Sequence, residues 1–248
     1  MAHNFLIAPD FSPERFAGWH MFNTLLQKRS NQALHLITPA SHAEQNESVA
    51  TGTVQLIYAN PFDAAKLIRE DGYRAVARPI GKSDEMVIAS SAKGDIKTLD
   101  DLKSGATIAM TDNRDVKLIG MRLLEAVDLT ENDVTFNIVE TYQAAARAVM
   151  KDEAQVAFFI AEVYNTLSNL TKSQLNVLIE SDIATISHVI LVKDDFGEAD
   201  AITKVILSLK DDADGQAVLS ELGMPDGFEP MEEEDAEFMI DLMETLLD

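Results

Sequence analysis

This 248-residue chain predicts an α/β fold with mixed, mostly parallel sheets and helices on both faces. Three observations lead there. Short apolar runs recur along the whole length, and amphipathic stretches at helical spacing separate them. Apolar residues make up 46% of the chain against 25% charged, which supports a large core and argues against disorder.

Taken in order, residues 5–9 read as a first strand. Ser12 is placed to cap a helix that has Pro13 at its first position. Phe16, Trp19, Phe22 and Leu26 then recur at helical spacing to about residue 28. Residues 33–38 are a strand, 41–50 a helix and 54–59 a strand. Asn60-Pro61 stops that strand, and Pro61 starts a helix to about residue 70. Strands follow at 73–80 and 85–90. A second block repeats the grammar: a short helix at 98–103, strand 106–110, helix 113–126, strand 134–139, helix 142–150, strand 155–160 and helix 162–170. Residues 176–179 and 185–192 read as strands, the latter on the β-rich run Ile186-Ser187-His188-Val189-Ile190. A helix at 198–210 and two carboxy-terminal helices complete the chain. In the last of these, Ala236, Met239, Ile240, Met243, Leu246 and Leu247 share one face.

The charge is lopsided. Asp and Glu number 42 against 20 Lys and Arg, a formal net charge of −22. No basic residue follows Lys210, and residues 211–248 hold 14 acids; the rest carries 28 acids and 20 bases, a net of −8. Such a surface repels phosphate backbones and anionic lipid, so nucleic acid and membrane surfaces are disfavoured partners. The absence of cysteine excludes disulfides, thiolate metal sites and thiol catalysis. No apolar stretch reaches the roughly 18 residues of a membrane-spanning helix. Met-Ala-His-Asn passes directly into Phe5-Leu6-Ile7-Ala8, which does not read as an intact signal peptide. The expected compartment is periplasmic if a signal has been removed and cytoplasmic if Met1 is the native start.

Enzyme signatures are missing from the sequence. It contains no Gly-x-Gly-x-x-Gly, no phosphate-cradling Gly-x-x-x-x-Gly-Lys-Ser/Thr, no Gly-x-Ser-x-Gly and no His-Glu-x-x-His. His3, His20, His35, His42 and His188 are scattered, with no pair at metal-ligand spacing, so no metal and no cofactor is expected. What remains is positional. In open α/β sheets, ligands bind beyond the carboxyl ends of strands, where helix N-termini present N–H groups. Four junctions qualify: Pro9-Asp10-Phe11-Ser12, Tyr58-Ala59-Asn60-Pro61, Thr111-Asp112-Asn113-Arg114 and Phe159-Ile160-Ala161-Glu162. Each also reads as ordinary turn and capping chemistry. An aromatic at a strand end, Tyr58, suits either a pocket wall or the core.

Two long segments carry a resemblance. Tyr58-Ala59-Asn60-Pro61-Phe62-Asp63-Ala64-Ala65 and Arg78-Pro79-Ile80-Gly81-Lys82-Ser83-Asp84-Glu85 are similar to the phosphate, phosphite and phosphonate substrate-binding proteins of ABC importers. These form part of the type 2 periplasmic-binding-protein superfamily. Thr98-Leu99-Asp100-Asp101-Leu102-Lys103 and Leu222-Gly223-Met224-Pro225-Asp226-Gly227-Phe228-Glu229-Pro230 also resemble segments of that family. The resemblance implies two lobes, residues 1–81 with 184–248 and residues 82–183, joined by a two-crossover hinge that closes on a ligand held between them.

At the turn where phosphonate binders carry Ser and Thr, this chain has Thr111-Asp112-Asn113-Arg114-Asp115. Thr111 and Asn113 still offer polar groups, and Arg114 offsets charge if it points to the ligand. Asp112 and Asp115 place like charge there. At about 4 Å and an effective dielectric of ~20, two like charges repel by about 4 kcal/mol, roughly a thousandfold in affinity.

Two readings follow. In the first, the chain is a solute-binding protein that closes on a small polar ligand for ABC import, with altered oxyanion specificity and an ABC permease as partner. Its contacts are drawn from Phe11, Ser12, Tyr58, Asn60, Thr111, Asn113, Arg114, Glu162 and His188. In the second, the same fold serves as a cytoplasmic sensor or as an interaction subunit of a larger complex. No catalytic residue is assigned in either. The acidic tail reads as a solvated helix face, as a docking surface for a basic partner, or as adaptation to a salty medium.

Overall fold

Residues 2–9, 13–183 and 185–247 are described by the computed structural model, and within them the apolar runs assemble into two sheets. The chain divides into two units, Met1–Ser83 with Thr185–Thr245, and Asp84–Ala184 with Leu246–Asp248.

The first unit opens with β1 (His3–Ile7), a 3-10 turn (Pro13–Arg15), α1 (Phe16–Ser30), β2 (Leu34–Ile37), α2 (His42–Ala50), β3 (Val54–Ala59), α3 (Pro61–Glu70) and β4 (Tyr73–Pro79). The second holds β5 (Met86–Ser91), a 3-10 turn (Leu99–Asp101), β6 (Ala106–Met110), α4 (Arg114–Glu125), a 3-10 turn (Glu131–Asp133), β7 (Val134–Ile138) and α5 (Tyr142–Met150). It ends with β8 (Val156–Ile160), α6 (Ala161–Thr166), α7 (Asn169–Lys172) and β9 (Leu175–Glu180). The chain then returns to the first unit with β10 (Val189–Lys193), α8 (Ala199–Ser208), a 3-10 turn (Leu209–Asp211), α9 (Ala213–Leu222), β11 (Phe228–Pro230) and α10 (Glu233–Leu247).

Strand order is β11-β4-β10-β3-β1-β2 in the first unit and β7-β6-β8-β5-β9 in the second. The strands read as continuous apolar runs because each sheet is covered twice, and successive residues serve opposite faces. In the first unit Phe5, Ile7, Leu56, Ile190 and Val192 meet Trp19, Phe22 and Ile206 on one face. Leu6, Ile57, Val189 and Leu191 meet Leu67 and Met239 on the other. In the second unit Val87, Ala89 and Phe159 pack under Ala145 and Val149 of α5. Met86, Ile88 and Phe158 pack under Val116 and Ile119 of α4.

The sheets are mixed as expected, with a smaller parallel share than the strand–helix alternation implies. Among the described residues four strand pairs are parallel and five antiparallel. Alternation sets the direction of strands joined by a single helix. It says nothing of β5 and β10, the first strands after each passage between units, and each runs against both of its neighbours.

Several boundaries also differ. The strand expected at 185–192 begins only at Val189, which pairs with Ala59, the last residue of β3. Beyond that point the β-prone residues 185–188 have no strand beside them. The helix expected at 98–103 is a single 3-10 turn, because Asp101 Oδ2 folds back to accept the Thr98 N–H at 2.9 Å. The helix expected at 162–170 is two short ones. Leu167 is buried, and Ser168 caps the second by accepting the Thr171 N–H at 3.1 Å. The short strand β11 carried no sequence signal, since one of its three residues is Pro230.

Candidate functional site

In the first unit β1, β2 and β3 are parallel, so their carboxyl ends share one edge of the sheet, and antiparallel β10 starts there. The residues just past these ends form a shelf. Asn60 is 1% exposed and caps α3: its Oδ1 accepts the Asp63 N–H at 2.8 Å. Such a cap contributes about 1 kcal/mol. The Tyr58 backbone carbonyl accepts the Ala8 N–H at 2.9 Å, tying β3 to the end of β1. Its ring is core, 6% exposed, with the Trp19 ring at 4.6 Å and the half-buried His188 ring stacked at 5.1 Å. Tyr58 therefore supports the His188 imidazole rather than presenting itself. The expected contacts Phe11 and Ser12 lie outside the described residues.

The same shelf includes residues that sequence reasoning missed. Ser41 caps α2 by accepting the Glu44 N–H at 3.3 Å, and Glu44 Oε2 accepts the Ala40 N–H at 2.9 Å. This Ser-x-x-Glu pattern stood in the sequence as a legible start signal, with the glutamate reaching back to the residue before the cap. From α2, Gln45 Nε2 donates to the buried Asp63 Oδ2 at 2.5 Å, and His42 Nδ1 lies 3.3 Å from the same oxygen. The first turn of α3 is thus fixed by partners on α2.

In the second unit β7, β6 and β8 are parallel and end together. Thr111 is half-buried at the end of β6, and its carbonyl accepts the Asn113 N–H at 2.8 Å. Asn113, 9% exposed, caps α4 through the Val116 N–H at 2.9 Å. Arg114 and Asp112 are exposed, whereas Asp115 is buried in the first turn. The two acids expected at this helix start are therefore in different environments. Glu162 is exposed on α6, at the end of β8.

Sequence reasoning passed over the junction after β7. There Thr141 caps α5 through the Ala144 N–H at 3.1 Å, and Tyr142 lies 6.2 Å from Phe159. Tyr164, from α6, meets Phe159 edge-on at 5.6 Å; burial and then Glu180 push its phenol above the ordinary value, so it stays protonated at neutral pH. Also unforeseen is Glu85. Its carboxylate accepts from the Ser181 hydroxyl and, at 2.8 Å, from the Ile183 N–H, while its carbonyl accepts the Ala161 N–H at 2.8 Å. One residue thereby joins the strand that enters the unit, the strand that leaves it and the start of α6.

Chemically, each shelf offers N-termini of helices nine residues or longer, whose amide dipoles favour negative charge. The hydroxyls of Thr111 and Thr141 and the Arg114 guanidinium add donors, and His188 adds an imidazole. Among the described residues no group of three or more His, Asp or Glu is arranged to hold a metal ion. No helix among them is long and apolar enough to cross a membrane.

A family model described as ABC transporter, phosphonate, periplasmic substrate-binding protein matches residues 5–236. Solved structures share the architecture at low identity. PhnD1 from Prochlorococcus marinus in complex with methylphosphonate superposes with a TM-score of 0.82 at 14% identity, over 99% of this chain and 98% of that one. XAC2383 from Xanthomonas citri bound to ATP gives 0.82 at 12% identity, over 100% and 98%. The aliphatic sulphonate binding protein SsuA from Escherichia coli gives 0.67 at 14%, over 99% and 91%. No curated protein sequence matches the chain.

Proposed function

We propose that this chain, which belongs to the phosphonate-type substrate-binding proteins of ABC transporters, binds a small oxyanion at its strand-end shelves and serves import rather than catalysis. The carrying observation is that the family match runs through both shelves, from before Tyr58 to beyond His188. The donors there are of the kinds an oxyanion needs: helix N-termini, hydroxyls, an imidazole and a guanidinium. Phosphonate leads the candidate ligands because PhnD1 is solved with methylphosphonate, and sulfonate and phosphate esters follow from SsuA and the ATP-bound XAC2383. The matching compartment is the periplasm, with a permease as partner. The roles of Tyr58 and Asn60 are to position, those of His188, Thr111, Arg114 and Thr141 to contact. Phe11 and Ser12 stay candidate contacts of the first unit.

One variant from each unit tests the two shelves. His188→Ala and Thr111→Ala should each weaken the same oxyanion by about tenfold or more, equivalent to about 1.4 kcal/mol per lost contact, with the folded baseline unchanged in a thermal-shift assay. Loss in one variant only would place the site in that unit alone.

A second reading has one observation of its own. Asp115 sits buried in the first turn of α4, so the protein's own carboxylate meets that helix dipole. On this reading the fold is a sensor or an interaction subunit. Its mark is an oxyanion panel that leaves the melting temperature unmoved.

A further inference from the structure

The first sheet has an unfinished lane. Strand β11 pairs with β4 only along Ala77–Pro79, then Pro230 ends it and the chain leaves with the Met231 N–H reaching the Val76 carbonyl at 3.3 Å. Among the described residues no strand lies beside Tyr73–Ala75 on that edge, where the lane would continue.

Helices overhang the lane from both faces. Val76 and Leu207 of α8 join the core on one face, while Ala75 and Ile68 join it on the other with Met231 and Ala236. Between them is a groove of ≈ 950 Å³ whose lining includes all six of these residues. Its floor is apolar, with Met231 and Ala236 buried and the other four half-buried, and its rim is acidic. Asp194, Asp200, Asp211, Glu232, Glu233 and Glu237 face it against two cations, Arg74 and Lys204. Arg74 lies 3.6 Å from Asp200, which leaves most of the rim charge unmatched by the groove's own cations.

An open strand edge with apolar walls accepts an extended backbone, since main-chain hydrogen bonds supply affinity and alternate side chains enter the walls. The rim selects its charge. A second copy of this chain would bring −22 to an already acidic edge, and a nucleic acid would be repelled.

We propose that the groove along Tyr73–Val76, between α8 and α10, is a docking site for an extended basic segment of a partner protein, which adds a strand beside β4. The site lies wholly in the first unit and rests on none of the residues assigned to oxyanion binding. The acidic tail thus has a local use, as the rim of a strand-binding slot.

The test uses the full chain and a labelled, acetylated Lys-Val-Lys-Val-Lys-Val peptide, read by fluorescence anisotropy and by hydrogen exchange. The expected result is binding that weakens about tenfold or more between roughly 0.05 and 0.5 M salt, with slowed exchange at Tyr73–Val76. Combining Asp211→Lys, Glu232→Lys and Glu233→Lys, all exposed, should lower affinity about tenfold or more at unchanged melting temperature. An analogue N-methylated at alternate residues should bind about tenfold more weakly, because it cannot complete a ladder. No binding of the basic peptide, protection elsewhere than Tyr73–Val76, or equal binding of the N-methylated analogue or spermidine would overturn the proposal. Oxyanion affinity measured alongside is expected to be the same with and without peptide, so failure here leaves the oxyanion reading standing.

Discussion

Gly120 shows how closely a single residue is constrained. A Cβ built there would lie 2.3 Å from the Phe158 ring, so α4 rests on β8 only because position 120 has no side chain. Gly120→Ala is expected to destabilise the second unit by about 1–3 kcal/mol through overpacking, measured as a lower urea midpoint with an unchanged slope. Trp19 presents the opposite case. It is 1% exposed and touches Phe5, Phe22 and Tyr58, so Trp19→Ala should cost about 3–5 kcal/mol and disturb His188 through Tyr58. Trp19 was legible in the sequence from the spacing of Phe16, Trp19, Phe22 and Leu26. Gly120 was not, because nothing local distinguishes a glycine that faces an aromatic ring from one that faces water. His188 was legible only as a residue type; its stack on Tyr58 depends on β10 arriving antiparallel to β3.

Among the elements, capping chemistry is where sequence and structure agree best. Asn60 and Asn113 cap their helices, in line with the capping chemistry read at those junctions, and α3 and α5 span Pro61–Glu70 and Tyr142–Met150 as the spacing predicts. The misreadings have a common cause: pairing and termination are decided by distant partners. Residues 185–188 are β-prone and run past the end of β3, while β11 exists only because β4 offers it an edge. The 3-10 turns give a pH prediction. Asp101 is held below the usual carboxylate range by the Lys97 and Thr98 N–H groups, and Asp133 by the Thr130 hydroxyl and N–H. Asp212 is lowered to about 2, chiefly by Arg29. Because the folded values lie below the unfolded ones, these groups stabilise the fold above about pH 4 and lose that contribution as pH falls toward about 2. Asp101→Asn and Asp133→Asn together should flatten the acid limb of a melting-temperature profile between pH 4 and 2.5. An equally steep limb in the double variant would assign the acid sensitivity to other carboxylates.

For the molecule as a whole, net charge is a poor guide to the ligand and a good guide to the surface. Arg69 alone gathers Glu237, Asp241 and Glu244 and so clips α10 to α3, with every pair exposed to screening. Of the other described tail acids, Asp212 pairs with Arg29 and Glu229 with Arg78, Asp211, Glu232 and Glu233 rim the groove beside β4, and the rest are exposed. The architecture was readable from alternation, and the family from loose segments such as Tyr58–Ala65. The site was readable only as junctions. Its convergence on two shelves depends on which strands run parallel, and one-dimensional patterning does not encode that. Whether those shelves bind an oxyanion is the central claim, and calorimetric titration with methylphosphonate, methanesulfonate and inorganic phosphate at neutral pH tests it most directly. The account predicts saturable binding of at least one of the three, with a thermal stabilisation of about 2.7 kcal/mol at a hundredfold excess over Kd. No heat and no stabilisation with any of them would contradict it.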